Sequence, residues 1–241
     1  MSPGKAILSI PGIHRDIVDV DGIRVRVKDL PTSRRIRRHL RRGEYENPER
    51  EMVKKFLHPG DKVLELGASL GVVACFIGRQ TSPGGRLVSV EPNIDLKPFF
   101  EKQLELNGYQ STWINALCCP IWENELPSLT ALKVYFPSED NLLGRAGPSA
   151  KGGRDIPWET AEAVCTECSL EPDAIVMDIE GAEEVWTKIP PCFPPSVRVV
   201  IAEFHHQIYG VETAAKAVQA VIDEGFQLAA YQHNVIAFKR K

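Results

Sequence analysis

The stretch Val63-Leu64-Glu65-Leu66-Gly67-Ala68-Ser69-Leu70-Gly71 decides the fold of this chain. An apolar run leads directly into small residues, and the following Leu70–Arg79 has the apolar spacing of a helix, so a strand, a sharp turn and a helix are predicted in that order. Glycine suits such a turn because it has no Cβ, so the backbone can bend sharply and a ligand can approach it. The stretch therefore predicts a ligand-binding turn.

Outward from this turn, strand-like and helix-like segments alternate from Pro48 onward, which is the pattern of parallel βαβ units. The predicted strands are Lys62–Leu66, Arg86–Val90, Thr112–Leu117, Ala174–Met177, Val197–Ala202, Phe226–Tyr231 and Val235–Lys239. The predicted helices are Pro48–Leu57, Leu70–Arg79, Ile94–Leu106, Ala182–Lys188 and Glu212–Glu224. The last pair of strands reads as an antiparallel hairpin. We expect an α/β, Rossmann-like fold, with a mostly parallel seven-stranded sheet and helices on both faces.

A small β appendage and a basic segment are predicted before this core, over residues 1–43, leaving residues 44–241 for the Rossmann-like domain. Alternating apolar residues on either side of Asp21-Gly22 predict a hairpin, because Asp-Gly suits a type I′ turn. Arginines surround Ile36 and Leu40 in the helical run Arg34–Arg42. That run is either a solvated helix face or a local patch for an anionic substrate.

Composition limits the classes of partner. The chain has 241 residues and a net charge of −3, which gives no overall attraction to nucleic acid or anionic lipid. Met1–Ile10 lacks the pattern of a secretory leader, and no stretch reaches the roughly 20 apolar residues of a membrane span. We expect a cytoplasmic protein with a small-molecule substrate. Cys165 and Cys168 have C-x-x-C spacing without a second pair, so reduced thiols are expected here instead of a metal site.

Acidic residues at the ends of the first strands indicate which cofactor is bound. Glu65 precedes the glycine turn where a dinucleotide fold has G-x-G-x-x-G, and an acid repels a pyrophosphate but attracts an ammonium group. This favours the methionine end of S-adenosylmethionine over NAD. Glu91 follows at about the spacing of a ribose-binding acid, although it can instead cap a helix. Asn115 or Ala116, ending the next strand, can meet the adenine.

The ends of later strands carry groups that can move protons. Asp178, Glu180 and Glu183 follow an apolar strand, and clustered carboxylates raise one another's proton affinity, so one of them can serve as a general base. Capping of a helix by Glu180 and Glu183 is the structural alternative. His205 ends the following strand and either transfers a proton or acts as a structural hydrogen-bonding group.

Taken together, these segments resemble the FkbM family of S-adenosylmethionine-dependent methyltransferases from Gly43 to the C-terminus. The similar blocks are Gly43-Glu44-Tyr45-Glu46, Pro59-Gly60-Asp61, the glycine turn, Asn115-Ala116-Leu117, Asp178-Ile179-Glu180-Gly181-Ala182-Glu183 and Glu203-Phe204-His205. The chain departs from the family pattern at Glu65, where Asp is common, at Ser69, where Asn is common, and at Met177, where many members have Lys.

The resemblance implies a class I methyltransferase sheet and methyl transfer to a hydroxyl of a sugar or natural product. The cofactor-binding residues it implies, with those argued above, are Glu46, Glu65, Gly67, Ala68, Ser69, Gly71, Glu91, Pro92, Asn93, Asn115 and Ala116. The catalytic residues are Asp178, Glu180 and His205. No metal is assigned, and a divalent ion held by these catalytic residues is an alternative. The rival functions are an NAD-dependent oxidoreductase and a cofactor-binding protein without catalysis, the latter because of Met177.

Overall fold

The computed structural model describes residues 16–119, 133–135, 145–147, 156–187 and 190–241. The strands in these ranges are β1 (Ile17–Val20), β2 (Ile23–Arg26), β3 (Lys62–Leu66), β4 (Arg86–Val90), β5 (Thr112–Ile114), β6 (Leu117–Cys119), β7 (Lys133–Tyr135), β8 (Arg145–Gly147), β9 (Trp158–Thr160), β10 (Ala174–Met177), β11 (Val199–Glu203), β12 (Phe226–Gln232) and β13 (Val235–Arg240). The α-helices are α1 (Arg34–Arg42), α2 (Asn47–Phe56), α3 (Val72–Thr81), α4 (Lys97–Asn107), α5 (Ala161–Glu167), α6 (Glu183–Trp186), α7 (His206–Tyr209) and α8 (Val211–Asp223), and a 3-10 turn, Ile94–Leu96, precedes α4.

The central sheet has seven strands in the order β12-β13-β11-β10-β3-β4-β5. The pairs among β11, β10, β3, β4 and β5 are parallel, and β13 runs antiparallel to both β11 and β12. The chain winds from β3 towards β5 and later from β10 towards β11, so the strand order reverses between β3 and β10. Open α/β sheets bind ligands at such a switch point, beyond the carboxyl ends of the strands. The predicted fold class is confirmed.

Helices cover both faces of the sheet because successive strand residues point to opposite sides. In β3, Val63 packs in one apolar cluster with residues of α2, α3 and α4, whereas Leu64 and Leu66 pack in the other, with residues of α5, α6 and α8. By the same alternation Glu65 shares the face of Val63. An acid thus lies on the sheet face that α2 and α3 cover.

The N-terminal hairpin forms as predicted. Asp21 and Gly22 both have positive φ, 49° and 83°, as a type I′ turn requires. The free edge of β2 is covered by side chains of α4: the main-chain nitrogens of Arg24 and Arg26 donate to Asn107 Oδ1 and Gln103 Oε1, each at 2.8 Å. The hairpin is therefore fixed against α4, which keeps its edge from pairing with other strands.

The basic run forms the predicted helix α1. Ser33 Oγ caps it by accepting from the nitrogen of Ile36 at 3.3 Å, and Gly43 ends it in the left-handed region. Leu40 is buried, and most of the arginines are exposed. The role of this surface stays a prediction.

One predicted strand is wrong. Thr112–Leu117 is divided into β5 and β6 because the chain turns at Asn115, whose side-chain nitrogen donates to the main-chain oxygens of Glu91, at 2.9 Å, and Pro92, at 3.0 Å. β6 then leaves the central sheet and pairs with β9.

Other differences concern the second half of the chain. The stretch Gly144–Trp158 is rich in glycine and proline and is predicted to be a long loop, either a lid over the substrate or an insertion of no consequence. It contains β8, and β9 begins at its last residue, while most of the stretch lies outside the described residues. Helix α5, capped by Thr160 Oγ1, was not predicted, and α6 is shorter than the predicted Ala182–Lys188.

The structure bears on the predictions about membrane spans and cysteines. No helix in the described ranges is long and apolar enough to cross a membrane. Cys165 and Cys168 are free thiols. The segment Met1–Ile10 lies outside the described residues.

Candidate functional site

The turn after β3 is clamped between two neighbouring strand ends. The nitrogens of Gly67 and Ala68 donate to the carbonyl oxygen of Val90 at 2.9 and 3.3 Å. Gly67 has a φ of 85°, and a Cβ there would lie 1.7 Å from the main-chain oxygen of Asp178. At Gly71, with a φ of 80°, a Cβ would lie 2.8 Å from a ring carbon of Phe100. The missing Cβ at each position thus makes room for another part of the chain, while the approach of a ligand to this turn stays a prediction.

A cleft of about 360 Å³, part of it open to solvent, lies beside this turn. The predicted site residues that line it are Glu46, Glu65, Gly67, Ala68, Ser69 and Asp178. Gly71 is absent from the lining, as expected from its contact with α4. The structure therefore brings the glycine turn together with one of the residues predicted for catalysis.

Glu65 is a buried carboxyl group with spare hydrogen-bonding capacity. Its side chain is 2% exposed, and Oε2 accepts from the Ser89 hydroxyl at 2.6 Å. Oε1 has no hydrogen-bond partner within the described part of the chain. Burial raises the pKa of Glu65 to about 8, against the hydrogen bond from Ser89. A buried carboxyl that lines a cleft and lacks a donor is suited to a cationic ligand.

Glu91 organises the turn from the end of β4. Its Oε2 accepts from the Ser69 nitrogen at 2.9 Å, and its Oε1 accepts from the Asn93 nitrogen at 2.8 Å. Burial raises the pKa of Glu91 to about 7, and these backbone donors oppose the shift. Each carboxylate oxygen can accept more than one hydrogen bond. Glu91 can therefore still accept a hydrogen bond from a hydroxyl group of a ligand beside Ser69.

The other residues predicted for the cofactor mainly shape the rim of the site. Asn93 is fully buried, and its Oδ1 accepts from the Asp95 nitrogen at 3.2 Å. The Asn115 amide holds the main chain of Glu91 and Pro92, as described above, and Ala116 is 1% exposed. Pro92 is half-buried. The buried side chains of Asn93 and Ala116 offer no surface to a ligand in this conformation.

The three residues predicted for catalysis lie together. His205 Nε2 is 3.6 Å from Asp178 Oδ1 and 3.5 Å from Glu180 Oε2. On the other side of the ring, Nδ1 lies 3.1 Å from Oε1 of Glu183, which is fully buried. An ionised carboxylate only accepts hydrogen bonds, so Glu183 fixes the proton on Nδ1 and directs Nε2 towards Asp178 and Glu180.

Glu183 also holds the loop that carries Glu180. Its Oε1 accepts from the nitrogens of Ile179 and Gly181 at 3.1 and 3.2 Å. Both donors precede α6, so Glu183 holds this loop and does not cap the helix as the sequence alternative expected. Glu180 itself lies in the left-handed region with a φ of 51°.

Burial and neighbouring charges shift the proton affinities in this group. Burial lowers the pKa of His205, but the hydrogen bond and charge of Glu183, with the charges of Glu203 and Glu180, outweigh it and raise the pKa overall. Burial, followed by the carboxylates of Glu203 and Glu46, raises the pKa of Asp178 well above its ordinary value. Protons are thus held tightly at this end of the cleft.

Sequence reasoning missed three residues of the site. Tyr45 and Glu49 line the cleft, and Glu203 acts on the pKa of Asp178. Glu49 is 5% exposed and lies one helical turn before the buried Met52 and Val53 on α2. An acid on the apolar stripe of a helix was the signal that could have revealed it.

Two carboxylate-rich groups have the compactness of a metal site. The sets are Asp178, Glu180 and His205, and Glu46, Asp178 and Glu203. In each, one potential ligand atom per residue lies within 4.8 Å of the others. The cleft thus offers one oxygen of Glu65 that has no partner in the described structure, and a dense negative charge.

Comparisons with known proteins give structural likeness without sequence likeness. No family model matches the chain, and no curated protein matches it. Precorrin-6y C5,15-methyltransferase from Geobacter metallireducens is 15% identical with a TM-score of 0.45, covering 80% of this chain and 87% of that one. Fibrillarin from Aeropyrum pernix, solved with natively bound S-adenosyl-L-methionine, is 12% identical with a TM-score of 0.43, covering 78% and 72%. A putative O-methyltransferase from Klebsiella pneumoniae is 11% identical with a TM-score of 0.42, covering 75% and 74%. These values describe a remote likeness of fold and assign no residue.

Proposed function

We propose that this protein binds S-adenosylmethionine in the cleft beside the β3 turn and methylates a hydroxyl oxygen of a small molecule such as a sugar or natural product. The observation that carries the proposal is Glu65 Oε1, a buried carboxylate oxygen that lines the cleft and has no partner in the described structure. It lies next to the strand-order reversal between β3 and β10, where ligands of α/β sheets bind.

The residues present fit this cofactor. Glu65 would lose its proton when the ligand binds and hold the ammonium group of the methionine half, since a cation beside a buried acid favours the charged form of that acid. The same acid disfavours a dinucleotide, whose phosphates it would repel. Glu91, which orients the Ser69 nitrogen, would accept hydrogen bonds from the ribose hydroxyls.

The groups around His205 would handle the acceptor. When bound, S-adenosylmethionine supplies a methyl group attached to positively charged sulfur. His205 would take the proton that the acceptor hydroxyl loses, since its Nε2 faces the cleft residue Asp178 and Glu183 fixes its Nδ1. Asp178 would stabilise the imidazolium formed. The walls of the cleft would align the reactants and exclude water.

The test is transfer of a radiolabelled methyl group to a panel of hydroxylated sugars and natural-product alcohols. We expect at least one labelled acceptor and a loss of about 100-fold or more in kcat for His205→Gln, the range of general base catalysis. His206, the exposed neighbour of His205, provides a matched control: His206→Gln should have the kcat of the wild type. Full turnover by an Asp178→Asn, His205→Gln double variant would contradict the assignment of the base.

Other outcomes distinguish the rival functions. Binding of S-adenosylhomocysteine with no turnover on any acceptor would favour a cofactor-binding protein without catalysis. Preferential binding of NAD would favour an oxidoreductase and overturn the proposal.

A further inference from the structure

One side of the cleft is lined by acidic residues. Glu46, Asp178 and Glu203 each direct one carboxylate oxygen towards the others, and these oxygens lie within 4.8 Å of one another. Glu49 lines the same cleft and is 5% exposed, and its Oε2 lacks any hydrogen-bond partner among the residues that the structure describes. A buried carboxylate oxygen without a donor is costly unless a cation or a proton compensates it.

The nearest guanidinium is engaged elsewhere. Arg50 Nη1 donates to Asp21 at 3.2 Å, and Nη2 donates to the main-chain oxygen of Gly43 at 2.6 Å and to Asn47 at 3.0 Å. Its Nε reaches only the main-chain oxygen of Glu46, at 3.3 Å. Over the described ranges, no lysine or arginine forms an ion pair with the carboxylate of Glu46 or Glu49. Arg50 thus acts on the Glu46 carboxylate through its charge, which opposes the rise in the pKa of Glu46, and makes no ion pair with it.

His205 lies beside two of the three acids of this set, and beside Glu180. Its Nε2 lies 3.5 Å from Glu180 and 3.6 Å from Asp178, and 3.8 Å from Glu203. A metal bound by Asp178, Glu180 and His205 would need the imidazole nitrogen as a ligand. The set Glu46, Asp178 and Glu203 offers only carboxylate oxygens, the ligands that Mg²⁺, Mn²⁺ and Ca²⁺ prefer.

The chain holds the carboxylates of this set in place. Glu46 lies in the left-handed region with φ 49° and ψ 35°, a conformation that costs a non-glycine residue about 1–2 kcal/mol. Glu203 Oε1 accepts from the side-chain nitrogen of Asn234, which leaves Oε2 facing the cluster. Two of the three acids are thus fixed by the backbone or by a neighbour.

We propose that Glu46, Asp178 and Glu203 bind a divalent cation of the oxygen-preferring class, Mg²⁺, Mn²⁺ or Ca²⁺, with Glu49 as a further ligand or as a charge behind it. Oxygens on opposite sides of Ca²⁺ lie about 4.6–5.2 Å apart, and those around Mg²⁺ about 4.0–4.2 Å. Three oxygens that all lie within 4.8 Å of one another are therefore close enough to share one ion of this class. The cation would orient the acceptor hydroxyl, and this role rests on the proposed function. The binding of the cation does not rest on it.

The experiment is a titration of the full chain, freed of metals by a chelator, with Mn²⁺ alone, followed by electron paramagnetic resonance. We expect one Mn²⁺ per chain in the micromolar range and a loss of about tenfold or more in affinity for Glu46→Gln and for Glu203→Gln, which keep the side-chain shape but remove a charged ligand. Glu51→Gln is the matched control, because Glu51 lies exposed on α2 and pairs with Lys54. Thermal unfolding of each variant checks that it is folded.

Two results would overturn the metal site. The first is no Mn²⁺ binding below about 1 mM, which means that a shared proton compensates Glu49 and Glu203. The second is equal binding by the wild type and both cluster variants, which places the ion elsewhere.

The Mn²⁺ titration is repeated at saturating S-adenosylhomocysteine, so that failure of the metal site and failure of the proposed function can be told apart. We expect Mn²⁺ affinity to be unchanged or higher. Displacement of Mn²⁺ by S-adenosylhomocysteine, one for one, would mean that the cluster receives the cofactor's ammonium group, which overturns the metal site and leaves the cofactor assignment standing. Mn²⁺ binding without any S-adenosylhomocysteine binding would support the metal site and contradict the proposed function.

Discussion

The main-chain oxygen of Asp178 lies 1.7 Å from the position that a Cβ on Gly67 would occupy. This contact joins the end of β3 to the end of β10, the neighbouring strands at which the sheet order reverses. The turn proposed for the cofactor and the acid proposed for the acceptor are therefore parts of one rigid contact. Its disruption should affect both the fold and the site.

Gly67→Ala is expected to lose about 3 kcal/mol or more of the free energy of unfolding, because the new methyl group meets main-chain atoms that cannot move away. Gly60→Ala is the control: Gly60 has a φ of 90°, but a Cβ there has no neighbour within 4 Å. Only the backbone penalty of about 1–2 kcal/mol applies to it. Urea unfolding measures both, and equal losses would show that the Asp178 contact does not matter.

Glu65→Gln is expected to stabilise the ligand-free protein increasingly as pH rises. The pKa of Glu65 is raised from 4.5 to about 8 in the fold, so folding favours the protonated acid. The stability it contributes is present at low pH and is lost as pH rises through about 8, whereas glutamine does not titrate.

Urea unfolding at pH 5 and pH 9 tests this expectation. The variant should gain about 1–3 kcal/mol over the wild type at pH 9 relative to pH 5. Glu105→Gln, on the exposed side of α4, should show no such change. A pH-independent difference at position 65 would mean that this carboxyl is not buried as described.

Glu46→Gly is expected to separate stability from binding. Glycine adopts the left-handed conformation without strain, so the free energy of unfolding should rise by about 1 kcal/mol. The same change removes a carboxylate from the cleft, so Mn²⁺ affinity should fall. Asp29→Gly replaces another left-handed residue, with a φ of 58°, on the exposed surface. It should raise stability similarly and leave Mn²⁺ affinity unaltered; a parallel effect on Mn²⁺ would contradict the local role of Glu46.

Glu183 is expected to act as a positioning residue. Glu183→Ala leaves His205 Nδ1 and the nitrogens of Ile179 and Gly181 without their acceptor, so kcat on the identified acceptor should fall by about 100-fold with KM little changed. Glu183→Gln keeps one acceptor oxygen and should recover part of the loss. Equal activity of the two variants would imply that orientation of His205 by this residue is unimportant.

Much of the fold was predictable because its signals are local. The apolar run in Lys62–Leu66 and the helical spacing after it depend only on neighbouring residues, and parallel strand ends necessarily meet at one edge of a sheet. That rule placed Asp178 and His205 together, and the structure has their side chains 3.6 Å apart.

The errors arose where distant contacts decide the structure. The break between β5 and β6 depends on Asn115 reaching Glu91, 24 residues earlier. Glu49 is buried by the packing of α2 against β11 and β13, and its place on the apolar stripe of α2 is the one local sign of this burial. Glycine is needed at position 67 because of Asp178, which lies at the end of the neighbouring strand in the sheet but is distant in the sequence.

The most direct test of the central claim is isothermal titration of the purified protein with S-adenosylhomocysteine, with NAD titrated in parallel. Glu91→Gln serves as the site variant and Glu105→Gln as its control. The account predicts a micromolar dissociation constant for S-adenosylhomocysteine in the wild type and control, about tenfold or weaker binding in the site variant, and no binding of NAD. Absence of S-adenosylhomocysteine binding, or tighter binding of NAD, would contradict it.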